Sequence, residues 1–197
     1  MKAINGFDTF LFDMDGTLIE SSYDWPVIRD HLQISGGSLI DELNAFPEPE
    51  RTERWAWIEA YEIEATRQAP LRTGVHELMA LLRERGLRIA MVTNNNDTNA
   101  ETVIRSFSLA FDCVLTRDSG FWKPSGAPLI EAMRRLGAAP EQCMAIGDSR
   151  HDVLAARDAG VGGLCILHEQ HNALGDEQDL RLPDIPALIG YLQNVPD

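Results

Sequence analysis

Residues 10–18 of the chain read FLFDMDGTL, an apolar run that stops at Asp13 and places a second carboxylate at Asp15. If residues 10–12 are a buried strand, its end delivers both acids, and a period of two sends their side chains to the same side. Gly16 then lets the backbone turn sharply away. Two acids held on the lip of an apolar strand cost free energy unless a cation or a proton accompanies them. The stretch therefore marks a candidate catalytic site. A calcium loop of the EF-hand type is a poorer fit, because a strand and not a helix precedes the acids and the glycine comes too early.

Outward from this strand the chain has two textures. From Leu71 onward, helices alternate with short apolar strands. Thr73 is placed to cap a helix through VHELMALLRERG that ends at Gly86, and LRIAMVT follows as a strand. Asp97 or Thr98 starts a helix to about Ser106, before the strand FDCVLT. The helix GAPLIEAMRRLG closes at Gly137 and the strand QCMAIGDS comes next. A helix over 150–159 ends at Gly160, GGLCILH is a strand, and 185–192 form a last helix. This alternation predicts βαβ units, hence an α/β fold with an open parallel, Rossmann-like sheet covered on both faces as a three-layer sandwich.

Residues 20–70 contain no convincing strand. A helix begins at Asp24-Trp25-Pro26 and is expected to run until Gly36-Gly37. A second spans 38–46, Pro47 and Pro49 interrupt, and a third covers about 51–68, with Trp55, Ile58, Tyr61, Glu62 and Ala65 at helical spacing. Trp55, Ile58 and Tyr61 suit the insertion's own core. The expected organisation is an α/β core of residues 1–19 and 71–197 with a small all-helical cap at 20–70.

A net charge of −14, from 31 Asp and Glu against 17 Lys and Arg, argues against a nucleic-acid or anionic-membrane surface. It admits a small anionic substrate, since a local cation or metal can reverse the sign inside a cleft. Cys113, Cys143 and Cys165 are odd in number and lack C-x-x-C spacing, as expected of reduced core thiols. No signal-peptide pattern or membrane-span length occurs, and the expected compartment is the cytoplasm. Nothing in the residues sets an oligomeric state. His168 and His171 have the spacing of a metal pair, but nothing with ligand character adjoins them, and a surface loop is expected. The P-loop, the dinucleotide G-x-G-x-x-G and the G-x-S-x-G elbow are absent, which removes the usual NTPase, dinucleotide and serine-hydrolase readings.

In an open parallel sheet, ligands gather at the carboxyl ends of the strands. The first strand ends in Asp13 and Asp15 and the second in Thr93, Asn94 and Asn95; Lys123-Pro124 follows the third at a short distance, and the fourth ends in GDSRHD with Asp148 and Asp152. His151 falls inside this last group and is placed to face the same edge.

These motifs, DMDGT at 13–17, VTN ending in Thr93 and Asn94, KP at 123–124 and GDSRHD at 147–152, resemble in order and spacing those of the haloacid dehalogenase superfamily of aspartate-dependent phosphatases. The insertion after the first motif resembles the helical cap of its phosphoglycolate phosphatase-like branch. The resemblance implies a hydrolase acting on a small phosphorylated metabolite, with Asp13 as the nucleophile that takes the phosphoryl group. It implies Asp15 as general acid and then base, with a raised pKa. Mg²⁺ would be held by Asp13, Asp148 and the Asp15 carbonyl, with Asp152 a direct or outer partner. Thr93 and the Asn94 backbone would bind phosphoryl oxygens, and Lys123 would neutralise charge on Asp13 and the phosphoryl group. Two other functions stay open: a phosphomutase, distinguished by release of an isomer in place of free phosphate, and a non-catalytic phospholigand-binding protein, excluded by turnover lost in Asp13→Asn. For a distal anion of the substrate, Arg29, Arg51, Arg54, Arg67 and Arg72 are all candidates.

Overall fold

The strands are β1 (Thr9–Phe12), β2 (Arg88–Val92), β3 (Cys113–Leu115), β4 (Cys143–Gly147), β5 (Gly163–Leu167) and β6 (Leu180–Leu182). In this computed structural model, which describes residues 6–167 and 179–194, they form one sheet in the order β3-β2-β1-β4-β5-β6. Every neighbouring pair is parallel. From β1 the chain steps outward through β2 and β3, then returns to β1's other side for β4. The strand order thus reverses between β1 and β4, where open α/β sheets bind ligands.

The helices are α1 (Trp25–Leu32), α2 (Leu39–Ala45), α3 (Glu50–Gln68), α4 (Val75–Glu84), α5 (Asp97–Ser106), α6 (Ala127–Leu136), α7 (Arg150–Ala159) and α8 (Ile185–Gln193). The period of two divides the core into two layers. Phe10, Phe12, Ile89, Met91, Met144 and Ile146 face Val75, Leu78 and Leu82 of α4, Val103 of α5 and Leu188 of α8. Leu11, Ala90, Val92 and Ala145 face Leu129 and Met133 of α6 and Val153 and Ala156 of α7. Both sheet faces are therefore buried, as a parallel sheet requires. The three cysteines are free thiols buried in these layers.

α1, α2 and α3 pack around a separate cluster of Ile28, Leu32, Ile34, Leu43 and Ile58, flanked by Trp55 and Tyr61. α3 also lies against α5. Among the described residues no helix is long and apolar enough to cross a membrane.

Some local expectations need correction. α1 stops at Leu32, short of Gly36, because Gln33 takes a left-handed conformation (φ 55°) and its N–H returns to the Arg29 and Asp30 carbonyls. Thr73 does not cap α4; Gly74, at φ 88°, occupies the cap position without a side-chain hydrogen bond. α5 starts at Asp97 as expected, with Asn96 capping it by accepting from the Asn99 N–H at 2.8 Å. β6 was not expected from the residues: LRL is three half-buried positions, too short to show a period. His168 and His171 lie outside the described residues.

Candidate active site

Asp13 extends β1 by one more ladder bond, its N–H donating to the Ile146 carbonyl at 2.9 Å. The next residue, Met14, turns into the core and is fully buried, which leaves Asp13 and Asp15 on the cleft side. Gly16 has φ +78°, and a Cβ there would lie 2.3 Å from Asp148 Oδ2. Glycine thus supplies both the turn and the close approach. Thr17 Oγ1 then donates to Asp148 Oδ1 at 3.0 Å and fixes that carboxylate across the β1/β4 boundary. At the end of β4, a Cβ on Gly147 would lie 2.3 Å from Asp152 Cγ, so Asp152 is seated directly on backbone.

Lys123 is buried between two of these acids, its Nζ 2.8 Å from Asp13 Oδ1 and 2.5 Å from Asp152 Oδ1. Asn94 holds the lysine's backbone from both sides: Lys123 N–H donates to Asn94 Oδ1 at 2.7 Å, and Asn94 Nδ2 donates to the Lys123 carbonyl at 2.8 Å. The other oxygen of Asp152 accepts from the Ser149 N–H at 3.0 Å and the Ser149 hydroxyl at 2.6 Å, completing a capping box on α7.

Electrostatics follow from this packing. Burial opposes the charge on Lys123, but Asp13 and Asp152 outweigh it and keep the ammonium firmly protonated. Burial also works against the Asp152 carboxylate, and Lys123 and Ser149 reverse that, leaving it below the usual range. For Asp13, burial wins over the pull of Lys123, and neighbouring Asp152, Asp148 and Asp15 add to the upward push. Asp148 is lifted to about 7 by burial and by Asp152. Asp13, Asp148 and Asp152 each offer an oxygen, and these atoms lie within 4.8 Å of one another. Three hard carboxylates against one ammonium suit a divalent cation such as Mg²⁺, which would relieve the repulsion that raises Asp13 and Asp148.

Asp15 is placed differently. Its carboxylate lies outside that acid cluster and accepts from the Tyr23 hydroxyl at 3.2 Å and Asn95 Nδ2 at 3.1 Å. Asn95 Nδ2 also donates to the Tyr23 oxygen at 3.1 Å, and its own carbonyl oxygen is held by Asn99 Nδ2 at 2.8 Å. Burial raises the Asp15 carboxyl, with Asn95 and Tyr23 opposing. Thr93 is buried beside this network, its hydroxyl accepting from the Asn95 N–H at 3.0 Å.

Asp13, Asp15, Thr93, Asn94, Lys123 and Asp148 line one cleft of about 460 Å³; Asp152 sits behind it under Lys123. His151 lines the cleft as well, half-buried, and burial lowers its imidazole. Ile58, expected in the insertion's core, belongs to that core and also reaches the cleft.

The residues pointed to the loop 21–25 as a place for specificity but not to Tyr23 as a partner of Asp15, and they did not point to Arg117. Arg117 makes a bidentate pair with Glu62 of α3, both distances 2.8 Å, and donates to the Asn94 carbonyl at 3.2 Å. Only Glu62's place on the buried side of the helical pattern hinted that something charged must meet it.

A family model for haloacid dehalogenase-like hydrolases matches residues 7–160. Pyrophosphatase PpaX of Halalkalibacterium halodurans is 31% identical over 78% of this chain and 80% of its own. Phosphoglycolate phosphatase of Nitrosococcus oceani is 27% identical over 82% of this chain and 84% of its own. Among solved structures, a hydrolase from Pseudomonas syringae shares the fold with a TM-score of 0.79 at 21% identity, covering 96% of this chain and 100% of that one.

Proposed function

The chain belongs to the haloacid dehalogenase-like hydrolases, and from that premise we propose that it is a Mg²⁺-dependent phosphatase cleaving a small phosphomonoester through an aspartyl-phosphate on Asp13. The observation that carries the proposal is the divergence of two acids separated by one residue. Asp13 is turned to Lys123 and the acid cluster, whereas Asp15 is turned to Tyr23 and Asn95. We assign the first to attack and the second to proton transfer.

Asp13 forms a bond to phosphorus as the bond to the leaving oxygen breaks, and Asp15 gives that oxygen its proton. Asp15, now ionised, takes a proton from water, whose oxygen attacks phosphorus and breaks the bond to Asp13. Met14 N–H, 2.7 Å from Asp13 Oδ1, and Lys123 fix the nucleophile's orientation. Lys123 also offsets charge on the phosphoryl oxygens, which Thr93 and the Asn94 backbone bind. Asp13, Asp148 and the Asp15 carbonyl would hold Mg²⁺, with Asp152 an outer partner already occupied by Lys123 and Ser149. When bound, the ion supplies charge stabilisation to the transferring group. Residues 20–70 act as a cap that closes the cleft and excludes water.

The test is phosphate release from a panel of phosphorylated metabolites with and without Mg²⁺. Turnover should require the metal and vanish in Asp13→Asn. Formation of an isomer without free phosphate would assign a mutase, and turnover surviving in Asp13→Asn would remove the covalent route. Names of the relatives, a pyrophosphatase and a phosphoglycolate phosphatase, support a small, highly anionic substrate.

A further inference from the structure

Five arginines fall in or beside the helical insertion, and a distal anion of the substrate would suit any of them on sequence grounds. The structure separates them. Arg51 is held by Glu48 at 2.6 Å, and Arg67 lies in solvent 3.5 Å from Glu64. Arg54 covers the Phe46 ring and donates to the Leu32 carbonyl. Arg72 donates to the Gly16 carbonyl. Of the five, Arg29 lines the cleft.

Its position is set by α1. Ile28 and Leu32 are fully buried and pin the helix into the insertion's core. Trp25 and Arg29, one turn apart, share the face presented to the cleft. Nη1 of Arg29 is buried and has no hydrogen-bond partner among the described residues. The carboxylates that line the cleft are committed elsewhere: Asp13 to Lys123, Asp15 to Tyr23 and Asn95, Asp148 to Thr17, and Glu62 to Arg117. A buried cationic donor without an acceptor is destabilising. Arg29 lines the cleft, so its acceptor is either water there or an oxygen of the bound ligand.

We infer that Arg29 is a specificity-determining residue whose guanidinium binds a second anionic group on the substrate, a carboxylate or a phosphoryl group, so that the substrate class is a short phosphomonoester with an oxyanion at its other end. The planar fork of arginine pairs two oxygens of either group at once. The cleft of about 460 Å³ has room for such a ligand. Leu39, Ile40 and Ile58 supply apolar wall from the insertion beside Arg29. The inference rests on the phosphatase reading above.

The experiment compares kcat/KM for phosphate release from phosphoglycolate, ethylene glycol bisphosphate and 2-hydroxyethyl phosphate, which differ in carrying a carboxylate, a phosphoryl group or a neutral hydroxyl at the far end. The native chain should prefer at least one of the first two. Arg29→Gln should lower kcat/KM for that substrate by about 10- to 100-fold, chiefly through KM, and bring its ratio to 2-hydroxyethyl phosphate toward one. Arg29→Lys, which keeps the charge without the fork, should recover part of the preference. Which of the two anionic substrates is preferred identifies the group recognised. Equal turnover of all three by the native chain, or an equal loss on all three in Arg29→Gln, overturns the inference while leaving the phosphatase reading intact. No phosphate release by the native chain from any of them or from p-nitrophenyl phosphate removes that reading, and this inference with it.

Discussion

Arg117 and Glu62 join α3 of the insertion to the loop after β3 by a fully formed fork of two 2.8 Å contacts, with 5% and 7% of the side chains exposed. Burial opposes the charge on Arg117, but Glu62 and Glu59 more than offset it. Arg117→Met keeps most of the side-chain volume and removes the fork. Glu62 is then left as a nearly buried carboxylate with no cationic partner, and breaking a buried pair in this way costs about 3–5 kcal/mol. Loss of the contact over the Trp55 ring, 4.9 Å from the guanidinium, adds about 0.5–1 kcal/mol. At roughly 2–4 °C per kcal/mol for a chain of this size, the midpoint should fall by about 7–24 °C. Urea and thermal unfolding followed by tryptophan fluorescence and circular dichroism measure it, with Trp55 reporting from beneath the pair. Arg117→Met combined with Glu62→Leu should recover most of the loss, since an apolar replacement of the whole pair leaves no orphaned charge. A single variant that loses under about 1 kcal/mol would place the pair among solvent-screened ones and refute the reasoning. So would a double variant as unstable as the sum of the two single changes.

Two other outcomes follow from the site. Asp148 has its folded pKa raised to about 7 by burial and Asp152, so the folded protein binds this proton more tightly than the unfolded chain, whose value is about 3.9. Stability from this group is present below about pH 4 and is lost as pH rises to about 7; chelator-treated protein should melt lower at pH 8 than at pH 5.5, and Mg²⁺ should raise the midpoint most at the higher pH. Gly16→Ala puts a Cβ 2.3 Å from Asp148 Oδ2 at φ +78°, and should cost about 1–3 kcal/mol in urea unfolding and at least about tenfold in kcat. Wild-type kinetics in that variant would mean the loop does not need its close approach to Asp148.

The α/β alternation was legible because its signals are local. A period of two in FLF, a helical period in VHELMALL and glycines after α6 and α7 depend on residues adjacent in the chain. β6 escaped for the complementary reason: its strand character comes from pairing with β5, and nothing in LRL announces a partner. Chain order also carried the motif residues Asp13, Asp15, Thr93, Asn94, Lys123, Asp148 and Asp152, since each stands at or shortly after the end of a recognisable strand.

Which of these groups meet, and with what charge, belonged to the tertiary structure. Thr17 and Asp148 are 131 residues apart and share a hydrogen bond only because β1 and β4 are neighbours at the reversal of strand order. Asp13 and Asp15 are nearly adjacent in the chain and have opposite environments, because Lys123 approaches one while Tyr23 and Asn95 close on the other. The same holds for the arginines, which are equal as residues. Burial and partners are properties of three-dimensional packing, and they leave Arg29 facing the cleft while Arg51, Arg54, Arg67 and Arg72 are engaged elsewhere.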